Sequence, residues 1–212
     1  MNPYDEWYAL VRALELQEKF GGTVTVINVG LAENDVIIRK ALAIGAADAV
    51  RVNAEPTNSK FVAQQIANYA KDQGFDLILF GKETIDYSGA LVPGMVAEML
   101  DLPFFSFAHF LEIEGTTATV TRDIEGGEEI AEAQLPIVIS AIKGMAEQRI
   151  PNMRGIMMAK RKPLTVVEAS GDDKQMEVLH YALPPDKSEV KLVDPENMDE
   201  LVRLLHEEAK VI

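Results

Sequence analysis

Histidine and cysteine supply most metal sites and many nucleophiles in proteins, and this sequence is poor in both. Its three histidines are His109, His180 and His206, and it has no cysteine. No histidine has a second one four residues away, the spacing that puts two metal ligands on one face of a helix. Without cysteine, disulfides, thiolate nucleophiles and cysteine-based metal sites are excluded. The sequence therefore predicts no metal site.

Motifs for side-chain catalysis are also missing. The G-x-S-x-G motif of serine hydrolases does not occur, and Gly81-Lys82 lacks the upstream glycine and the Ser or Thr of a phosphate-binding P-loop. The carboxylates that could act in pairs are Glu6, Asp86, Asp123, Glu125, Glu128 and Glu129. With 34 acidic residues in the chain, a solvated surface is the simpler interpretation. We therefore expect a protein that is not itself an enzyme.

Two apolar runs end in glycine, and their ends are suited to a nucleotide. Val29-Gly30 ends one run, and residues 81–86 follow another. In an open parallel sheet, ligands bind at the carboxyl ends of the strands, where glycine lets a ligand approach the backbone. A helix that starts after Asp86 would offer free N–H groups to an anion. Glycines at strand ends also simply make turns, so the residues alone leave both interpretations open.

A basic, irregular stretch, residues 143–162, is the other unusual feature, and we call it the docking loop. Its cations are Arg149, Arg154, Lys160, Arg161 and Lys162, and its apolar residues include Met153, Ile156, Met157 and Met158. A solvated connection would explain the cations but not the methionines. Flexible methionines ringed by cations are typical of an adaptable surface that binds acidic partners. We therefore predict a docking surface here.

Alternating helices and strands must position these features. Residues 3–20 have the apolar spacing of a helix, and Thr23 to Val29 is a β-branched run typical of a buried strand. Further helices are predicted at 36–44, 61–71 and 86–100, and further strands at 49–52 and 76–80. Pro93 is expected to delay or kink the third of these helices. This order predicts an α/β fold with a mostly parallel sheet flanked by helices.

The pattern changes after Pro103. Alternation at 111–113 and 117–122, with a turn at 125–127, predicts an antiparallel hairpin, and residues 137–141 predict another buried strand. After a linker, Asp194 is expected to cap a helix over residues 195–210. We predict a nucleotide-binding α/β domain over residues 1–168. Residues 169–212 are predicted to form a C-terminal arm and helix that contact a partner subunit.

Composition narrows the class of protein. The 212 residues carry 20 Lys plus Arg against 34 Asp plus Glu, a formal net charge of -14. That balance argues against binding to nucleic acid or to an anionic membrane surface, because both depend on cationic side chains. No apolar run approaches the roughly 20 residues of a membrane span, and the first residues lack the layout of a secretory signal. We expect a soluble, bacterial-type cytoplasmic protein.

Five segments, taken together, resemble one protein family. They are MNPYDEWYAL, RKALAIGAADAVRV, DLILFGKETID, RDIEGGEE followed by QLPIVIS, and RIPNMRGIMMAKRKPL. Each is short, but in their order and spacing along the whole chain they resemble the beta subunit of electron transfer flavoproteins. The resemblance implies an α/β fold of the adenine-nucleotide alpha-hydrolase-like kind.

The resemblance also implies a function. Members form a heterodimer with an alpha subunit, which makes most of the contacts to a shared FAD. The assembly passes electrons from flavin dehydrogenases, such as the acyl-CoA dehydrogenases of fatty acid oxidation, to a quinone oxidoreductase or a similar acceptor. Many beta subunits also bury an AMP, and bifurcating members hold a second FAD in its place. The chain would thus be an electron carrier subunit.

Two sets of residues correspond to the family's sites. The cofactor pocket corresponds to Asn2, Pro3, Tyr4, Asp5, Val29, Gly81, Lys82, Glu83, Thr84, Ile85 and Asp86. The dehydrogenase contacts correspond to Arg149, Ile150, Pro151, Asn152, Met153, Arg154, Ile156 and Met157. Met153 stands where the family has its apolar anchor.

Two departures from the family leave alternatives open. The family carries a strand, central in its sheet, before the segment that here begins at Asn2. AMP-binding members have polar residues where this chain has Ala90-Leu91-Val92, so AMP, a second FAD and no nucleotide all stay open for the pocket. The alternative functions are a bifurcating-type subunit and a stand-alone universal-stress-like nucleotide-binding module. The second of these would not need the docking loop.

Overall fold

The computed structural model of the chain describes residues 5–171, 179–187 and 189–212. The chain divides into two compact units, Met1–Glu177 and Val178–Ile212. The domain boundary predicted after residue 168 stays a prediction. Three of the predicted pocket residues, Asn2, Pro3 and Tyr4, lie outside the described residues.

The first unit alternates helices and strands before it becomes mainly β-structure. Its elements in chain order are α1 (Asp5–Phe20), β1 (Thr25–Val29), α2 (Asp35–Ile44), β2 (Asp48–Asn53), α3 (Ser59–Ala70), β3 (Leu77–Gly81), α4 (Val92–Leu100), β4 (Phe104–Glu114), β5 (Thr117–Ile124), β6 (Gly127–Gln134), β7 (Ile137–Ala141), α5 (Met153–Ala159) and β8 (Leu164–Glu168). A short 3-10 turn, Ala32–Asn34, precedes α2.

The strands form two sheets. The first has the order β1-β2-β8, with both pairs parallel. The second has the order β3-β7-β4-β5-β6, in which β3, β7 and β4 are parallel and β5 and β6 continue as an antiparallel meander. Helices pack on these sheets, α1 on β3 and β7 and α2 on β1 and β2. The predicted α/β fold with mostly parallel pairing is confirmed.

A gap separates the two sheets. β1 and β3 are end strands of their sheets, although their apolar sequences TVINV and LILFG are typical of strands covered on both sides. Most of their residues are only half-buried. Both strands line a small apolar cavity of about 50 Å³, which residues of α3 and Phe75 also line. The further central strand implied by the resemblance is not among the described elements.

The core of the second sheet lies beneath the meander. Leu111, Val120, Ile137 and Ile139 are fully buried, and Tyr8 of α1 packs into the same cluster. These side chains come from β4, β5 and β7, so the hairpin that the alternation predicted is fixed on the parallel strands by shared core packing. The predicted hairpin is confirmed, and β6 extends it to three strands.

Several boundaries differ from the predictions. The helix predicted from Asp86 begins at Val92, with Pro93 in its first turn, because proline is tolerated there and not further inside a helix. The docking loop was expected to be irregular, yet residues Met153–Ala159 form α5, with Asn152 as the N-cap. Directly after this loop, residues Leu164–Glu168 form β8, which sequence analysis missed.

The second unit ends in a short helix. The α-helix Met198–Arg203, which we call α6, continues into a π-helical turn, Leu204–Ala209. The predicted start at residue 195 and the predicted cap are wrong. The Asn197 side chain accepts from the N–H of Glu200 and caps the helix, while the Asp194 carboxylate accepts from the N–H of Glu196 in the preceding turn.

Candidate functional site

The start of α1 meets the end of β3. A β-carbon on Gly81 would lie 2.8 Å from the backbone nitrogen of Glu6 and 3.2 Å from the carbonyl carbon of Asp5. Only glycine at position 81 lets the two backbones approach this closely. The structure therefore brings Asp5 and Gly81, two predicted pocket residues, together. The space that we expected a ligand to use beside Gly81 is occupied by α1 itself.

Charged side chains surround this junction. Lys82 Nζ lies 3.0 Å from a Glu83 carboxylate oxygen. Burial raises the pKa of Asp5, and the neighbouring carboxylates of Glu83 and Glu6 raise it further, while the charge of Lys82 opposes them. Titratable groups with shifted pKa values are enriched at functional sites. The junction is therefore a candidate site, although Lys82, its cation among the described residues, already has a carboxylate partner.

The segment after Lys82 folds back on itself. The backbone N–H of Thr84 donates to the carbonyl of Gly89, and that of Ser88 donates to the carbonyl of Thr84. The N–H of Asp86 donates to the Thr84 hydroxyl at 3.1 Å. These three N–H groups are therefore unavailable to a phosphate. Because α4 starts only at Val92, the helix terminus that we expected just after Asp86 does not lie there.

Two apolar side chains of this segment, Ile85 and Tyr87, are each 69% exposed. Exposed large apolar groups on a loop mark a surface that another molecule can cover. Thus the loop after β3 resembles a contact surface more than a closed phosphate cradle. The predicted role of these residues in cofactor binding stays a prediction.

The end of β1 is shaped by a polar network that sequence analysis missed. The buried Arg51 guanidinium donates to the carbonyl of Gly30 at 3.0 Å and to the carboxylate of Asp35 at 2.7 Å. Asn34 donates across the same turn to the Asn28 side chain at 3.1 Å. The signal was an arginine between the two valines of strand β2. Because the described partners satisfy it, we interpret Arg51 as a brace for the turn after β1.

The predicted pocket residues thus fall into two places. Val29 ends β1 in the first sheet, and it is buried. Gly81 ends β3 in the second sheet, next to Asp5 and followed by residues 82–86. Both lie at carboxyl ends of parallel strands, the edge where ligands bind in such sheets. A single pocket that includes both ends stays a prediction.

The docking loop is fastened to α1 at its first half. Arg149 makes a bidentate ion pair with Glu18, with N–O distances of 2.6 and 2.9 Å. The Trp7 indole N–H donates to the Arg149 carbonyl at 3.1 Å. Hydrogen bonding to Glu18 raises the pKa of Arg149, and the same contact lowers the pKa of Glu18. Bidentate pairs of this kind fix geometry as well as charge.

The second half of the docking loop is fastened to α2. Lys162 Nζ donates to the carbonyls of Leu42, Gly45 and Ala46 at 2.9, 3.1 and 2.5 Å. In return, the Arg39 side chain of α2 donates to the carbonyls of Ala159 and Lys162 in the docking loop. These contacts complete the C-terminal end of α2, whose last carbonyls have no partner within the helix. Lys162 is therefore a structural cation, not a free one as the sequence suggested.

Between these two anchors the docking loop presents apolar side chains to solvent. Ile150 is 89% exposed, Met153 74% and Met157 68%. The N–H of Gly155 donates to the Asn152 side chain at 2.8 Å and starts α5. A β-carbon on Gly155 would lie 2.4 Å from the carbonyl oxygen of Ala43, so α5 rests closely on α2. Of the predicted contact residues, Met153, Arg154, Ile156 and Met157 thus lie on this short helix, Asn152 caps it, and Arg149, Ile150 and Pro151 precede it.

Comparison with known proteins identifies the family. The model of the electron transfer flavoprotein domain matches residues 1–172 of this chain. The chain belongs to the electron transfer flavoprotein family. Electron transfer flavoprotein subunit beta of Bacillus subtilis (strain 168) is 40% identical over 226 residues, covering 100% of this chain and 88% of that protein. The subunit beta of Megasphaera elsdenii is 33% identical over 189 residues, 82% of this chain and 70% of that protein.

Family membership confirms the resemblance and gives the chain a role in electron transfer as part of a flavoprotein. The matched residues 1–172 contain the junction of α1 with β3 and the whole docking loop. The Bacillus subtilis relative also matches the C-terminal arm, since its alignment covers the entire chain. Within the described residues, none of the helices is long and apolar enough to cross a membrane.

Proposed function

We propose that the chain is the beta subunit of a heterodimeric electron transfer flavoprotein. It binds an alpha subunit, helps to enclose the FAD that the alpha subunit carries, and receives electrons from flavin dehydrogenases such as acyl-CoA dehydrogenases. It passes them on to a quinone oxidoreductase or a similar acceptor. The observation that carries this proposal is the family match over residues 1–172 combined with an anchored, exposed docking loop.

The docking loop supports the part of the proposal that concerns the dehydrogenase. Its exposed apolar residues Ile150, Met153 and Met157 lie on a segment whose two ends are fastened to α1 and α2. A fastened segment loses little conformational freedom when it binds, so less of the contact energy is spent on ordering. Apolar anchors surrounded by charged groups are typical of transient protein interfaces. The exposed cations Arg154 and Lys160 would favour an acidic partner surface.

The C-terminal arm supports the part that concerns the alpha subunit. Most of its large apolar side chains are exposed in the described residues of the second unit; the exposed ones are Leu179, Tyr181, Leu183, Val190, Leu192, Met198, Leu201, Val202, Val211 and Ile212. This many exposed large apolar side chains on 33 described residues is unusual for a surface that contacts only water. We infer that the alpha subunit covers this arm in an apolar interface of the obligate type.

The cofactor part of the proposal assigns the FAD to the interface with the alpha subunit. The N–H groups of Thr84, Asp86 and Ser88 are used within the loop, so a phosphate at this edge would need other donors. Exposed Ile85 and Tyr87 would instead pack against the partner or the flavin from the side of this chain.

Co-expression with the alpha subunit from the same organism tests the proposal. We expect a stable yellow heterodimer with one FAD, which an acyl-CoA dehydrogenase reduces in the presence of its substrate. Two flavins per heterodimer would favour the bifurcating type. A chain that stays colourless and unpaired when co-expressed, and that binds ATP or AMP alone, would contradict the proposal in favour of a stand-alone nucleotide-binding module.

A further inference from the structure

Three potential metal ligands meet near the end of the antiparallel meander. His109 comes from β4, Asp123 from β5 and Glu128 from β6, and one ligand atom from each lies within 4.8 Å of the other two. His109 Nε2 is 3.5 Å from an Asp123 oxygen and 3.2 Å from a Glu128 oxygen. The spacing of these residues in the sequence gave no hint of this cluster, because each stands on a different strand.

The strand register places the two carboxylates against each other. Asp123 pairs directly with Glu128 across β5 and β6, and like charges in directly opposed cross-strand positions destabilise a sheet. The neighbouring cation, Arg122, does not relieve this repulsion, since its guanidinium contacts Glu129 and Ser106 instead. In the described part of the chain, the ion pairs of Asp123 and Glu128 are those with His109. Both carboxylates are more than half exposed, so water screens part of this repulsion, and a bound cation would remove the rest.

Backbone irregularity directs His109 towards the carboxylates. The register of β4 with β5 shifts between Ala108 and Phe110, so His109 is the extra residue of a β-bulge. Bulges re-aim a side chain and are frequent next to functional sites. Gly144 lies behind it, since a β-carbon there would come within 3.2 Å of the His109 β-carbon. The backbone of Gly144 thus lies close to the start of the His109 side chain, whose Nε2 lies near Asp123 and Glu128.

His109 Nε2 is enclosed and makes no hydrogen bond. Although a Glu128 oxygen is only 3.2 Å away, the imidazole is not oriented for an N–H to either carboxylate. A buried polar nitrogen without a partner is costly. An ion located between the three groups would give this nitrogen a partner and would neutralise the opposed carboxylates at the same time.

We propose that His109, Asp123 and Glu128 bind one divalent transition-metal ion, of which zinc is the first candidate. Ligand atoms about 2.1 Å from a tetrahedral zinc ion lie about 3.4 Å apart, which is close to the 3.2 and 3.5 Å found around His109 Nε2. One imidazole with two carboxylates suits zinc better than magnesium or calcium, which prefer oxygen ligands alone. The ion would tie β4, β5 and β6 together, with water in the fourth position.

Calorimetric titration of the full chain with zinc chloride tests this site, after removal of any histidine tag. We expect one zinc ion per chain near neutral pH, and no heat from magnesium chloride at the same concentration. His109→Gln should weaken zinc binding by at least about tenfold, and the double substitution Asp123→Asn with Glu128→Gln should do the same. The double variant removes the repulsion between the carboxylates, so it also gives a result if His109→Gln fails to fold.

Matched controls separate this site from adventitious binding. Glu132→Gln changes an exposed acid on β6, four residues after Glu128. His206→Gln changes a histidine of the second unit. Neither substitution should alter zinc binding. Cobalt in place of zinc should give a visible absorption band that His109→Gln abolishes. A chain that binds no zinc, or that binds it equally well without His109, would overturn the proposal. In that case the three side chains contact only one another.

Discussion

Substitution of Lys162 by methionine tests how the docking loop is attached. Lys162 Nζ donates to three carbonyls at the C-terminal end of α2. A hydrogen bond from a charged donor contributes about 1.5–3 kcal/mol. Burial lowers the pKa of Lys162, so desolvation of the ammonium offsets part of that total. Methionine keeps the aliphatic packing, and we therefore expect a net loss of about 2–3 kcal/mol in the free energy of unfolding.

Urea unfolding followed by tryptophan fluorescence measures this loss. Trp7 is the only tryptophan, and its indole donates to the Arg149 carbonyl in the docking loop, so it reports on α1 and on the loop together. With a urea dependence of about 1–3 kcal/mol per molar, the midpoint should fall by about 1–2 M. Lys160→Met, at an exposed position two residues away, is the control and should unfold like the unsubstituted chain. Equal midpoints for the two variants would refute the assigned role of Lys162.

Four further changes test the remaining assignments. Burial raises the pKa of Asp5 in the folded state, so the ionised carboxylate destabilises the fold at neutral pH. Asp5→Asn should therefore raise the urea midpoint at pH 7. This increase should shrink as the pH falls through the folded pKa of Asp5 towards 3.8, where the carboxyl is protonated in both states. Gly81→Ala should lower the free energy of unfolding by about 1–3 kcal/mol, because the new β-carbon meets the backbone of Glu6 at 2.8 Å. Met153→Ala should weaken electron acceptance from the dehydrogenase about tenfold while the heterodimer still forms, since an apolar anchor is lost from the docking surface. Deletion of residues 195–212 should loosen the heterodimer, as measured by size-exclusion chromatography at decreasing concentration.

Each of these four changes has an outcome that contradicts its premise. A constant difference between Asp5→Asn and the unsubstituted chain from pH 4 to 7 would show that the carboxyl is not perturbed. An unchanged midpoint for Gly81→Ala would mean that α1 does not pass as closely as described. If Met153→Ala leaves turnover with the dehydrogenase unaltered, the docking loop has no part in electron acceptance. A tight heterodimer without residues 195–212 would assign the association to other surfaces.

The sequence predicted a helix or strand correctly where the residues along that element have similar surroundings. The continuous apolar run of β7 and the β-branched run of β1 predicted strands correctly, because strands between other layers need apolar side chains on both faces. The alternation in β5 predicted the antiparallel hairpin for a related reason, since one face of the strand is more buried than the other. β8 was missed because its apolar residues directly follow the basic end of the docking loop, where the cations obscured the pattern.

The candidate site was predictable in its parts but not in its arrangement. The sequence placed Val29 and Gly81 at strand ends, and the structure confirms both ends. It did not show that they end strands of separate sheets, because strand order depends on pairings distant in the chain. Nor did it show that α1 occupies the space beside Gly81, because this contact joins two backbone segments that are distant in the chain.

For the cations of the docking loop, too, the sequence shows which residues are present and the structure shows what they contact. Sequence alone could count them and note the methionines among them. Only the structure distinguishes Arg149 and Lys162, which are bound to Glu18 and to α2, from the exposed Arg154 and Lys160. Whether a cation fastens the chain or faces a partner depends on the groups that folding brings within hydrogen-bonding distance, not on its neighbours in the sequence.

By itself, then, the sequence determined the family, the alternation of helices and strands, and the acidic charge of this protein, because these depend on residue types and their order. Tertiary structure alone decided which distant groups meet. His109, Asp123 and Glu128 show this most clearly: no sequence spacing marks them as ligands, and the bulge in β4 with the register of β5 and β6 brings them together. Register is set by core packing over the whole sheet, and side-chain spacing within one segment does not encode it.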